Sequence, residues 1–167
     1  MLVDGYNVMH ANTELAGIAA SSLDAARKKF ADVLCEFKAL SHYRIILVFD
    51  AHLVAGGTGS VEDYHNIKIV FTKETETADH YIESAAYKLG KKNDRITVAT
   101  SDLLEQIIVL GQGAARMSAD ELWHAIHAAK EEVRARYLRN KPIKTNPLES
   151  LLDAETAKIL EEMRYGK

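Results

Sequence analysis

Arg44-Ile45-Ile46-Leu47-Val48-Phe49-Asp50 (RIILVFD) is a near-continuous apolar run rich in β-branched residues, closed by an acid. A strand with one wet face alternates apolar and polar residues. This one does not, so both faces are covered, the condition of a strand inside a parallel sheet flanked by helices. Upstream, Leu23, Ala26, Phe30, Val33, Leu34, Phe37 and Leu40 recur at three- and four-residue spacing among Arg27, Lys28, Lys29 and Glu36, which is an amphipathic helix. Before it, Met1 to Val3 is a short apolar run stopped by Asp4-Gly5, a buried strand running into a turn. Strand, helix, strand makes a crossover unit. Three residues is short beside the usual five or six or so, so a start further upstream, or the loss of leading residues, is expected.

The alternation continues. Ile67 to Phe71 (IKIVF) reads as a third strand, followed by a helix with Ala78, Ile82, Ala85, Ala86 and Leu89 on one face. Ile96 to Ala99 (ITVA) reads as a fourth strand, and Ser101-Asp102 opens a helix through Leu110. A short edge strand is expected at Ala114 to Met117, then a capping box in which Ser118 precedes Glu121 by three. The helix from Ala119 to about Tyr137 should bury Leu122, Trp123, Ile126, Ala129 and Val133, with Trp123 in the core rather than stacking on a base. The stretch AHLVAGGTGSVEDYHN, with Gly56, Gly57 and Gly59, reads as a flap or linker; no G-K-[ST] follows, so it is not a phosphate-binding P-loop. The expected fold is α/β, a three-layer α/β/α sandwich around a mainly parallel central sheet. Residues 1–137 form that domain, and 138–167 a basic linker and C-terminal helix, because Pro142 and Pro147 interrupt the helical pattern.

The 167 residues, 47% hydrophobic and 27% charged, suit one domain with a real core. A single cysteine, Cys35, excludes an internal disulfide framework and a cysteine zinc site, and is itself expected in the core. No basic leader precedes an apolar segment, and no apolar run approaches the roughly eighteen residues of a membrane span, so a cytoplasmic location is expected. The net charge of −3 does not advertise nucleic acid, yet carboxylates gathered in a cleft hide a positive surface elsewhere in the sum.

Four aspartates stand where a strand ends or a helix begins: Asp4, Asp50, Asp79 and Asp102. In an open parallel sheet the carboxyl ends of the strands converge on one crevice, where acids distant in sequence can meet around a hard cation. Each acid alone has an ordinary explanation as turn former, helix-dipole partner or N-cap. Four at matching topological positions favour a site. A haloacid-type phosphotransferase wants a second acid where Tyr6 stands; His124 and His127 share a helix face but lack a third zinc ligand; and no nucleophile elbow is present. From Arg134 to Lys144 the charged residues, Arg134, Arg136, Arg139, Lys141 and Lys144, are all basic.

Asp4-Gly5-Tyr6-Asn7 after an apolar strand, then VFDAH, FTKE-x-E-TAD, VATSD and GQGA-x-R-x-SA-x-EL together resemble the NYN-domain nucleases of the PIN-like superfamily, in particular their bacterial YacP-type branch, from residue 1 to about residue 125. The resemblance implies a divalent-metal-dependent endoribonuclease, using Mg²⁺ or Mn²⁺, with residues 1–137 as the nuclease domain. It implies messenger RNA and the ribosome as partners, with no DNA and no membrane. Carried over by motif, Asp4 and Asp79 are the leading metal-binding acids, completed by Asp102 and Asp50; Asn7 supports the site by hydrogen bonding and Ser101 helps fix Asp102. Glu74, Glu76 and Thr77 belong to the same motif. For RNA contact the expected residues are Lys73, Arg116, Arg134, Arg136, Arg139, Lys141 and Lys144. The rival reading is a non-catalytic module that docks on RNA or the ribosome and keeps its acids as turn formers and caps; divalent-metal dependence separates the two.

Overall fold

The computed structural model describes residues 1–50, 58–91 and 95–139. The chain divides into two compact units, Met1–Glu132 and Val133–Lys167. In order the elements are β1 (Leu2–Asp4), α1 (Gly5–His10), α2 (Thr13–Ser21), α3 (Leu23–Leu40), β2 (Ile46–Phe49), β3 (Thr58–Tyr64), β4 (Ile67–Lys73), α4 (Ala78–Gly90), β5 (Thr97–Ala99), α5 (Leu103–Gly111), β6 (Ala115–Met117) and α6 (Ala119–Arg139).

The sheet runs β3-β4-β2-β1-β5-β6. All pairs are parallel except β3 with β4. β1 lies between β2 and β5, with Asp4 opposite Val48 and Val3 opposite both Leu47 and Ala99. From β1 the chain crosses to β2 on one side and later returns to β5 on the other, so a switch-point crevice opens at the carboxyl end of β1. Strand residues pointing to opposite faces feed two cores. Val3, Leu47, Phe49 and Ile69 pack with Phe30 and Leu34 of α3 and Leu122 and Ile126 of α6. Leu2, Val48, Val70 and Val98 pack with Ile82 and Ala86 of α4 and Val109 of α5. This is the expected three-layer α/β/α sandwich, and Leu47, Val48 and Phe49 are each fully buried, as the run RIILVF demands.

Three expectations are corrected. At Asp4-Gly5 a helix begins where a turn was expected, and Gly5 to Ser21 holds two helices. α1 starts directly at the end of β1, with Asp4 as its N-cap, and α2 is capped by Asn12, whose Oδ1 accepts from the Leu15 N–H at 3.1 Å. Part of the expected loop is a strand: Thr58–Tyr64 pairs antiparallel with β4, Tyr64 opposite Ile67, across a two-residue turn in which His65 has φ 51°. Gly56 and Gly57 lie outside the described residues. Val133, expected in the core, is 46% exposed, because the apolar stripe of α6 ends with Ala129.

Three other expectations hold. Trp123 packs on Phe30 at 5.5 Å between ring centroids, and its indole N–H donates to the Val8 carbonyl at 3.0 Å. Cys35 is half-buried against the core. The capping box closes reciprocally: the Glu121 N–H donates to Ser118 Oγ at 3.2 Å and the Ser118 N–H to Glu121 Oε2 at 2.6 Å. In the second unit the described residues are the end of α6, where Arg134, Arg136 and Arg139 are exposed; Lys141, Lys144 and the expected final helix lie outside the described residues. Among the described residues no helix is long and apolar enough to cross a membrane.

Candidate active site

Asp4 is the last residue of β1 and the first support of α1. Its Oδ1 accepts the Asn7 N–H at 3.2 Å, so the capping requirement of α1 fixes the carboxylate at the mouth of the crevice. Asp50 follows β2 and its Oδ2 accepts the Ala78 N–H at 3.4 Å, tying the end of β2 to the start of α4. Thr77 caps α4, and Asp79 stands in its first turn, where the helix dipole favours a negative charge. Asp102 caps α5: one oxygen, Oδ1, accepts from both Leu104 N at 2.7 Å and Glu105 N at 3.1 Å.

The four predicted acids therefore gather at one end of the sheet, and the structure adds a fifth. Asp4, Asp79 and Glu105 each present a carboxylate oxygen within 4.8 Å of the others. Among the described residues this is the group of His, Cys, Asp and Glu side chains close enough to share one ion. Asp50 and Asp102 lie within electrostatic reach of it.

Burial is graded across the cluster. Asp4 is 7% exposed and Glu105 2%, whereas Asp79 is open to solvent. Burial raises the Asp4 carboxyl to about 6; the bond from the Asn7 backbone opposes this, and the charges of Asp79, Asp102 and Asp50 add to it. Asp79, though exposed as a residue, has its carboxyl raised by partial desolvation and then by the charges of Asp102 and Asp50. Glu105 is raised most, to about 8, by burial, with the Thr100 hydroxyl offsetting and Asp4, Asp79 and Asp102 reinforcing. Neither Glu105 oxygen has a hydrogen-bond partner of ordinary geometry.

Sequence reasoning missed Glu105 because α5 looks inside out. Leu103, Leu104, Ile107 and Leu110 are exposed at 70%, 68%, 58% and 49%, while Glu105 and Gln106 are buried. The available signal was that Glu105 and Gln106 lie on the helix face of Val109, and that Glu105 follows Asp102 by three, at the spacing of a shared face.

The supporting residues are ordered around this group. Asn7 Oδ1 accepts the Ser101 N–H at 2.7 Å, bridging the first turn of α1 to the turn after β5. Ser101 holds that turn through its backbone, while its hydroxyl accepts the Ala119 N–H at 3.3 Å and ties it to α6. Thr100 Oγ1 accepts the Asp102 N–H at 3.1 Å, and the buried Gln106 amide donates to the Thr100 carbonyl at 2.8 Å. Arg116 on β6 donates to Gln106 Oε1 at 3.2 Å and lies 3.9 Å from Glu121. Lys73, exposed at the end of β4, runs across Gly59 of β3.

A PIN-like sandwich with acids converging beyond the carboxyl ends of its parallel strands defines the class of NYN nuclease domains. The chain belongs to the family of the YacP-like NYN domain, which matches it over residues 1–165. It is 37% identical over 167 residues to the protein YacP of Bacillus subtilis (strain 168), covering 99% of this chain and 96% of that one. The crystal structure of Rae1 (YacP) from Bacillus subtilis is similar at a TM-score of 0.71 and 37% identity, covering 99% of this chain and 94% of that one. A tryptophan-to-leucine variant of the same protein matches at a TM-score of 0.70 and 33% identity, over 97% of each chain. The family makes this an RNA-related nuclease domain.

Proposed function

We propose that the protein is a divalent-metal-dependent endoribonuclease of the cytoplasm that cleaves messenger RNA in association with the translating ribosome. The observation that carries the reading is the convergence of Asp4 and Asp79, with Asp50 and Asp102 close by, at the switch point of the sheet. The donor group is all carboxylate, without imidazole or thiolate, which fits a hard ion such as Mg²⁺ or Mn²⁺. Asp4 and Asp79 would hold it, with Asp102 and Asp50 completing the negative field.

When bound, the ion supplies Lewis-acid chemistry, neutralising charge on the scissile phosphate and strengthening water as a nucleophile. The protein supplies orientation. Asp4 is held by α1 and Asp79 by α4, so their separation is set by packed elements rather than by loops. The exposed side of the crevice at Asp79 is where a phosphodiester can approach, and Asn7 and Ser101 keep the two rims in register.

For RNA contact the candidates are Lys73 and Arg116 in the first unit and, taken separately, Arg134, Arg136, Arg139, Lys141 and Lys144 in the second. The ordered motifs and the all-basic stretch 134–144 support this part of the reading. Neutralising that stretch should weaken RNA or ribosome binding and flatten its salt dependence without changing metal binding; unchanged affinity and unchanged salt slope remove it from the interface.

The deciding experiment is cleavage of a translated message on ribosomes with Mn²⁺ or Mg²⁺, beside chelator and the Asp4→Asn, Asp79→Asn double variant, with new ends mapped. Ends that require metal, both aspartates and active translation are expected. Identical ends with the variant, or none with RNA binding intact, favour a non-catalytic binding module.

A further inference from the structure

We propose that Glu105 is a direct ligand of the catalytic cation, so that the inner group is Asp4, Asp79 and Glu105, while Asp102 acts on the site by holding Glu105 in place. This deepens the nuclease reading and rests on it. Two independent observations carry it. Glu105 presents an oxygen within 4.8 Å of oxygens of both Asp4 and Asp79. It is also 2% exposed, with both carboxylate oxygens buried and lacking a hydrogen-bond partner. A carboxylate sealed from water without a partner stays ionised only if a cation stands against it, and otherwise takes up a proton. The Thr100 hydroxyl acts on it without reaching ordinary hydrogen-bond geometry, Gln106 Nε2 donates instead to the Thr100 carbonyl, and Arg116 is turned toward Gln106 and Glu121.

Asp102 differs in kind. The residue is exposed, and its Oδ1 accepts two backbone N–H groups, those of Leu104 and Glu105. Those bonds set the first turn of α5, and that turn aims Glu105 at the crevice. Asp102 is thus a positioning residue.

The test is Mn²⁺ binding by calorimetry and by electron paramagnetic resonance, together with the Mn²⁺-induced rise in melting temperature, for wild type, Glu105→Gln, Glu105→Asp and Asp79→Asn. Removal of an outer supporting group lowers metal affinity about 10–100-fold, so loss of a direct ligand should do at least as much. Glu105→Gln should lose at least about tenfold in affinity and most of the Mn²⁺-induced melting shift, while the metal-free protein melts no lower than wild type. Glu105→Asp keeps the charge but withdraws it by one methylene. It should also bind more weakly, whereas a general electrostatic role would leave it like wild type.

Wild-type affinity in Glu105→Gln or Glu105→Asp, with Asp79→Asn impaired, overturns the assignment and leaves the nuclease reading standing. Absence of Mn²⁺ binding in the wild type overturns both. A fall in the metal-free melting temperature that accounts for all the lost binding overturns it in favour of a structural role, and the resonance spectrum of the bound fraction distinguishes the two.

Discussion

β1 and β3 are opposite kinds of strand in one sheet. β1 has three residues, all buried, and a partner on each side; β3 has seven, pairs among the described residues with β4 alone, and leaves Val61 63% exposed. Length is not what anchors a strand here. β1 is gripped by parallel ladders to β2 and β5 and by both cores, so it holds Asp4 firmly despite its shortness. β3 carries Glu62 and Asp63, neither of which joins the acidic group. The centre of the sheet is built for placement and the edge for termination, since polar side chains discourage further strand pairing.

That contrast can be broken at several points. The largest effect belongs to the crevice: Asp79→Asn should lower cleavage roughly a thousandfold, about 4 kcal/mol of barrier, while Asp63→Asn on β3 leaves it unchanged. Mapped RNA ends on ribosomes decide, and equal losses for the two would erase the distinction.

Next comes Gly5, at the junction of β1 and α1. A Cβ there would stand 2.4 Å from the Phe49 ring and 2.7 Å from the Val48 carbonyl, and Phe49 is fully buried and cannot yield. Gly5→Ala should therefore destabilise the fold by about 3 kcal/mol in urea unfolding, the upper range for overpacking.

A third effect concerns pH. Asp4 and Glu105 have their carboxyls raised to about 6 and about 8, so between their ordinary values near 4 and these limits the native state holds more protons than the unfolded one. Metal-free protein should be fully stabilised below about pH 4 with respect to these groups, and should lose several kcal/mol, about 1.4 kcal/mol for each pH unit by which a carboxyl is raised, as pH rises toward 8. Unfolding in chelator at a series of pH values measures this. Stability that rises over that interval, with the other groups corrected for, would contradict the burial of the cluster.

The smallest effect is at the edge. Gly59 has φ 79°, and a Cβ there would meet Lys73 Cγ at 2.7 Å, the flexible part of a surface side chain that can swing aside. Gly59→Ala should cost about 1 kcal/mol, from the left-handed backbone alone. A cost equal to that of Gly5→Ala would mean the edge is packed as tightly as the centre.

The same contrast explains what could be read in advance. β2 and α3 announce themselves because burial on two faces, or on one stripe, leaves a periodic record in the sequence. The aspartates were legible because caps and strand ends have positional chemistry. α1 and α2 were not, being six and nine residues long and poor in periodic contrast; α2 buries only Leu15. β3 was hidden because TGSVEDY has one aliphatic residue, and its conformation comes from the ladder to β4 rather than from its own composition. Glu105 escaped because burial of an acid has no propensity to betray it.

The crevice is assembled from the first strand, from the helix after the fourth, and from the helix after the fifth. Contacts so distant along the chain form late, after the intervening elements have packed. A polypeptide still being synthesised and lacking α5 possesses Asp4 and Asp79 but not the turn from Asp102 to Glu105 that faces them. The acidic group thus becomes complete only once about two thirds of the chain has been made, and a half-made chain carries Asp4 and Asp79 without their third partner.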